Sequence, residues 1–190
     1  MDVDDMTRPL RRDEPCARHD ERMTEQREEA RAFAEAYTRC LPAVSGYLRR
    51  RVETAAVEDL AADVFAIAWR KRASVAPGEE LPWLYRIASY VVANHRRRLA
   101  TRASLAHLLI APDSAPAADA FVDDAEPALA AAWAALRPRD REVLALAVLE
   151  GMPVAEIAVA AGSTPNAVSI RLHRAKKVLA AALERERTAE

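Results

Sequence analysis

No stretch of this chain alternates apolar and polar residues for long enough to make a strand of a sheet. Apolar residues recur instead at the three-to-four spacing of a helix. Pro138, Pro153 and Pro165 each stand where such a run should begin, a position at which the missing amide proton costs nothing. Composition agrees, with 43 alanines against four glycines and arginine at 25 of the 28 basic positions. Alanine, leucine, glutamate and arginine all favour helix. We therefore expect an all-α protein. Alanine-rich helices bury little area each, so the few large residues must anchor the cores. Those are Phe33, Tyr37, Phe65, Trp69, Trp83, Tyr85, Phe121 and Trp133, together with the leucines.

A chain of 190 residues suffices for one compact domain or two small ones. It holds no run of about 18 apolar residues, so no membrane insertion is expected. Its first residues lack the apolar stretch of a signal peptide, which points to the cytoplasm. Cys16 and Cys40 make neither a disulfide framework nor a metal site. The histidines His19, His95, His107 and His173 are scattered, and no metal or cofactor is expected.

Charge divides the chain. Residues 111–127 hold three prolines and five acidic residues with no base, giving -5, whereas residues 1–110 and 128–190 each carry +2. These sum to the formal net charge of -1. We read 1–24 as a disordered tail or start-site artefact and 25–110 as a first helical domain. Residues 111–127 read as a flexible acidic linker, and 128–190 as a second helical domain. The linker is best read as a spacer; its acidity would also suit it to imitate a nucleic-acid backbone in a basic channel. In the first domain, helices are expected from near Glu25, over about Ala55–Arg72 and over about Leu81–Arg98. Pro42 is expected to mark a kink or a new start. In the second they are expected at about 127–136, 138–149, 153–161 and 165–185.

The sharpest motif is VAEIAVAAGSTPNAVSIRL, Val154–Leu172. Gly162 permits a tight left-handed turn, Thr164 can cap the next helix, and Pro165 presets its first position. Val168, Leu172, Ala175 and Leu179 then share one face. The opposite face carries Asn166, Ile170, His173, Arg174 and Lys177, with Ser169 and Arg171 on its flanks. Such a helix fits a DNA major groove. Arginine pairs with guanine, asparagine with adenine, an outward isoleucine meets a thymine methyl, and lysine or serine holds phosphate. The amides near Thr164 can also meet phosphate oxygen.

Two patches stand out in the first domain. Glu58, Asp59 and Asp63 lie on one helix, and no histidine or cysteine accompanies them, so a docking face for a basic partner is a better reading than acid–base chemistry. Between Trp83 and Arg102, the bases Arg86, Arg96, Arg97, Arg98 and Arg102 interleave with Trp83, Tyr85 and Tyr90. Bases among exposed rings suit melting DNA, where a ring replaces a lost stacking neighbour. Trp83, Leu84, Ile87 and Val91 are also expected to supply core.

These segments together resemble a bacterial RNA polymerase sigma factor of the extracytoplasmic-function (ECF) class, over about residues 27–185. Val57–Arg70 resembles the region-two helix that docks on core polymerase, Pro82–Arg98 the helix that opens and reads the -10 element, and Leu136–Leu183 the region-four domain that reads the -35 element. The resemblance implies core-polymerase binding by Glu58, Asp59, Leu60, Asp63, Phe65 and Trp69, against the clamp helices of the largest subunit, with region four on the flap. It implies -10 contacts by Trp83, Tyr85, Arg86, Tyr90, Asn94, His95, Arg96, Arg97 and Arg98. It implies -35 contacts by Thr164, Asn166, Ser169, Ile170, Arg171, His173, Arg174 and Lys177. It further implies an anti-sigma factor, often membrane-bound, as a partner holding the chain at the inner face of the membrane. Ala62 stands where the family usually has glutamine, Tyr90 and Asn94 where asparagine and aspartate are common, and Ser169 where a base is usual. These departures should alter -10 preference and weaken one phosphate contact. Two other readings compete. A stand-alone helix-turn-helix regulator would need a dimer surface that the sequence does not offer. A helical adaptor would leave both basic patches as plain solvent faces. No nucleophile–base pair or metal cluster points to an enzyme.

Overall fold

The structure is a computed structural model that describes the backbone of residues 14–107 and 127–187. Every long element among them is helical. In order they are α1 (Glu14–Arg49), α2 (Val57–Lys71), α3 (Glu80–His107), α4 (Pro127–Ala134), α5 (Pro138–Val148), α6 (Val154–Ala160) and α7 (Pro165–Arg187), with single 3-10 turns at Thr54–Ala56 and Arg72–Ser74. Helix α1 begins upstream of Glu25, where the sequence suggested disorder. Glutamate, alanine and arginine in that stretch are good helix formers, and Pro15 sits in the first turn, where proline is tolerated. It also runs through Pro42 instead of restarting there. Phe121 and the acidic segment up to Glu126 lie outside the described residues.

The chain divides into two units, Met1–Thr38 and Arg39–Glu190. In the first, most side chains from Glu21 onward are exposed, as expected of a solvated helix. Arg31 donates from Nε to Glu35 Oε1 at 3.2 Å, one turn apart, and Thr38 returns its hydroxyl to the Ala34 carbonyl.

The second unit contains two helical bundles. In the first bundle Cys40, Val44, Tyr47 and Leu48 are buried on α1, and Val57, Leu60, Ala61, Val64, Phe65 and Ala68 on α2. Leu84, Ile87, Ala88, Val91 and Val92 complete the core from α3, which packs along α2. The second bundle wraps α4, α5 and α6 about α7. Its core joins Trp133, Leu136, Leu144, Ala145 and Ala175, with Leu149, Leu172, Val178 and Leu179 packed against them. Arg141 closes the end of α4 by donating from Nη2 to the carbonyls of Ala134 and Leu136, both at 3.2 Å. A cation is favoured there because the last carbonyls of a helix lack partners. Between the bundles, α3 packs against α6.

Candidate nucleic-acid interface

Helix α6 stops at a Schellman turn. Ser163 N donates to Ala158 O at 2.8 Å and Gly162 N to Val159 O at 3.1 Å. Gly162 takes φ +57°, the left-handed conformation in which a side chain is costly. Thr164 Oγ1 then accepts from Ala167 N at 3.3 Å, and Pro165 opens α7. Ile157 and Val168 are fully buried on the two sides of this turn, which fixes the angle at which α7 leaves it.

With Val168 and Ala175 inside, the opposite face of α7 is outside. Asn166, His173, Arg174 and Lys177 are exposed, and Ile170 keeps 52% of its surface in solvent. Ser169 bends its hydroxyl back to Pro165 O at 3.0 Å. Arg171 is partly buried and donates from Nη1 to Ser163 Oγ at 3.3 Å, so it ties the helix to its own turn. The exposed set offers donors, acceptors and one aliphatic surface within a few turns of one helix.

On α3 the proposed residues separate. Tyr90 is 64% exposed, and Arg97 and Arg98 are also outside. Trp83, Asn94, His95 and Arg96 are partly buried. His95 Nε2 lies 3.0 Å from Glu53 Oε1, and Arg96 donates from Nη2 to Arg51 O at 2.9 Å. Arg97 reaches Asn94 Oδ1 at 3.3 Å. A pocket of about 200 Å³ between α2 and α3 is bordered by Asp63, Arg70, Tyr90, Asn94, His95 and Arg98. Tyr85, expected from sequence both as a core anchor and among the rings of the -10 patch, is buried at 4% exposure, and its hydroxyl donates to Glu150 Oε2 at 3.2 Å. The sequence leaves both roles open because a tyrosine beside arginines reads alike whether its partner is water or a distant carboxylate.

On α2, Glu58, Asp59 and Asp63 are exposed, and Trp69 is 37% exposed with the Arg72 guanidinium 4.1 Å above its ring. Leu60 and Phe65 face inward, so their contribution to this surface is to hold α2 in place.

Sequence reasoning missed a polar cluster inside the second unit. Glu142 of α5 accepts from Tyr47 Oη at 2.8 Å and from Arg51 Nη2 at 3.4 Å. Glu150, set by the left-handed Gly151 that follows it, accepts from Arg50 Nη2 and Tyr85 Oη and lies 3.8 Å from Arg51 Nη1. Arg51 also lies 3.6 Å above the Tyr47 ring, and the two tyrosine rings are 5.2 Å apart. Burial, and next the Glu142 carboxylate, push the Tyr47 phenol well above its ordinary value; burial and then Glu150 raise that of Tyr85. Nearby, a cleft of about 520 Å³ is bordered by Arg86, Tyr90, Arg139, Ser163 and Arg171.

Among the described residues no group of three or more His, Cys, Asp or Glu could hold a metal, and no helix is long and apolar enough to cross a membrane.

Comparison with known proteins accounts for both bundles. The family described as Sigma-70 region 2 matches residues 36–102, and that described as Sigma-70, region 4 matches residues 127–179. The chain is 34% identical over 152 residues to RNA polymerase sigma factor CarQ of Myxococcus xanthus, spanning 75% of this chain and 84% of that protein. It is 30% identical over 145 residues to the ECF RNA polymerase sigma factor SigF of Caulobacter vibrioides, spanning 73% and 78%. Among solved structures it is similar to CnrH, determined in complex with the cytosolic domain of CnrY, with TM-score 0.55 and 26% identity over 82% of this chain and 89% of CnrH. The two helical bundles and their helix-turn-helix are those of a sigma-70 family protein. The chain belongs to the ECF class of RNA polymerase sigma factors, which act in transcription initiation and are not enzymes.

Proposed function

We propose that this sigma factor docks on core RNA polymerase through the exposed acidic strip of α2, reads a -10 element with α3 and reads a -35 element with the outer face of α7. The observation that carries the reading is that face. Asn166, Ile170, Arg174 and Lys177 stand outside while Val168 and Ala175 of the same helix are wholly buried. A groove-reading helix needs that division. Asp59, Asp63 and Trp69 offer the polymerase clamp helices a surface of carboxylates beside a ring, and the second bundle would meet the flap. Tyr90, His95 and Arg98 border a pocket beside the -10 helix, which suits a base drawn out of its stack. Phosphate contacts by the arginines make promoter affinity fall steeply with salt. CnrH was solved with a cytosolic protein domain bound, which supports an anti-sigma factor as a partner here and a cytoplasmic place of action.

The test is reconstituted transcription. Core polymerase with this protein should initiate at one promoter class and core alone should not. Asp59→Arg with Asp63→Arg should abolish co-elution with core. Arg174→Glu should keep co-elution and lose -35-dependent initiation. Absence of any co-elution of the unaltered chain would end the reading.

A further inference from the structure

The cleft of about 520 Å³ gathers positive charge from three helices, since Arg86 of α3, Arg139 of α5 and Arg171 of α7 all border it. One carboxylate, that of Glu142, borders it too, and it already accepts from Tyr47 and Arg51. Arg51 matches its charge, so the three guanidiniums of the cleft are in excess. Among the described residues, no hydrogen bond or ion pair engages the guanidinium of Arg86 or of Arg139. Arg171 spends one of its several N–H donors on Ser163 and keeps the others. The head of Arg86 rests over a bare glycine: a Cβ on Gly162 would stand 3.2 Å from its Nη2. Like charges around one cleft repel, and a bound anion removes that cost. Arg86 and Arg139 are exposed, so a dissolved anion reaches them.

Guanidinium pairs with carboxylate and phosphate alike, and charge and size choose between them. Three positive groups ask for more than the single charge of a carboxylate. The volume is that of a small-molecule site and far exceeds one phosphate. The rest of the lining is apolar or aromatic. Val143, Leu146 and Ala160 are buried behind it, and Tyr90, 64% exposed, offers its ring at the border. A flat base stacks on such a ring. Ser163 Oγ accepts from Arg171 and so keeps its own proton to give to a phosphate oxygen.

We propose that this cleft binds a nucleoside di- or triphosphate, with its phosphates on Arg86, Arg139 and Arg171 and its base on Tyr90. The site stands apart from the sigma-factor reading, and either one fails without the other.

The experiment is isothermal titration of the full chain with ATP, GTP, inorganic tripolyphosphate and adenosine, all without divalent metal. ATP or GTP should bind once per chain, tripolyphosphate more weakly, and adenosine should give no measurable binding. Arg139 is exposed, so Arg139→Gln should keep the fold, and it should weaken the triphosphate by about tenfold or more. Lys71→Gln, also exposed but not at the cleft, should bind as the unaltered chain does. Tyr90→Ala should weaken the nucleotide about five- to hundredfold and leave tripolyphosphate unchanged. If neither triphosphate binds, the site is refuted. If Lys71→Gln loses as much as Arg139→Gln, the attraction is to basic surface in general, and the site is refuted as well. Tripolyphosphate that binds as tightly as ATP, with no effect of Tyr90→Ala, overturns the assignment to a nucleotide. A single-stranded oligodeoxynucleotide that binds through Arg139 where ATP and GTP do not would give the cleft to a nucleic-acid backbone and overturn the proposal.

Discussion

A Cβ on Gly162 would stand 3.2 Å from Nη2 of Arg86, the two residues being brought together where α3 packs on α6. The far end of Arg86 can swing aside, so the contact itself is cheap to relieve. The φ of +57° is not. Gly162→Ala should therefore lower stability by about 1–2 kcal/mol, the cost of a side chain in the left-handed region. For a chain of this size that is a fall of about 2–8 °C in Tm. Removing Arg86 as well should return little of it. Thermal melts of the single and double variants check both statements.

Thr164 begins α7 by accepting from Ala167 N. Thr164→Ala should cost about 0.5–2 kcal/mol, and Thr164→Ser should recover most of that. Amide exchange at Ala167 should quicken in the alanine variant before that of Ala175 deeper in the helix. Hydrogen exchange read residue by residue gives the answer.

Ile157 and Arg174 should both be needed for DNA, for opposite reasons. Ile157 is wholly buried, and Ile157→Ala should cost about 2–5 kcal/mol. Arg174 is exposed, and Arg174→Glu should change stability by no more than about 0.5 kcal/mol. Urea titration should separate the two sharply. In DNA binding, the arginine variant should also show a shallower dependence on salt, since one phosphate-facing charge is gone.

Tyr47 and Tyr85 link the fold to alkaline pH. An acid whose folded pKa is raised contributes stability that is fully present below its unfolded value, about 10 for tyrosine, and lost as pH climbs toward the folded value. Urea midpoints should therefore fall between pH 9 and 11. Tyr47→Phe should be less stable than the unaltered chain at pH 8 and should lose less over that interval. A variant that loses as much as the unaltered chain would show that other groups set the alkaline limit.

Local signals were legible in the sequence because their causes are local. Pro138 and Pro165 begin their helices, Gly162 takes positive φ, and Val168 and Ala175 are wholly buried, Ala175 against Trp133 and its neighbours. What the sequence hid depends on pairing across distance. Arg50 and Glu150 are separated by 100 residues, and nothing near either names the other. A lone glutamate after a helix reads as solvated surface, and nothing near Tyr85 names the carboxylate that its hydroxyl meets. The start of α1 was missed for a different reason. Polar composition there matched a disordered tail, yet the stretch also holds good helix formers such as Glu14, Ala17, Arg18, Glu21 and Arg22, with no apolar stripe to mark them.

Under the proposed -35 reading, the bond from Arg171 to Ser163 tunes the helix that would meet DNA. A guanidinium already tethered has fewer rotamers to surrender on meeting its target, so its contribution depends on a hydroxyl eight positions away that need never touch DNA. Sequence preference can drift through the elbow while the outer surface of the probe stays unchanged.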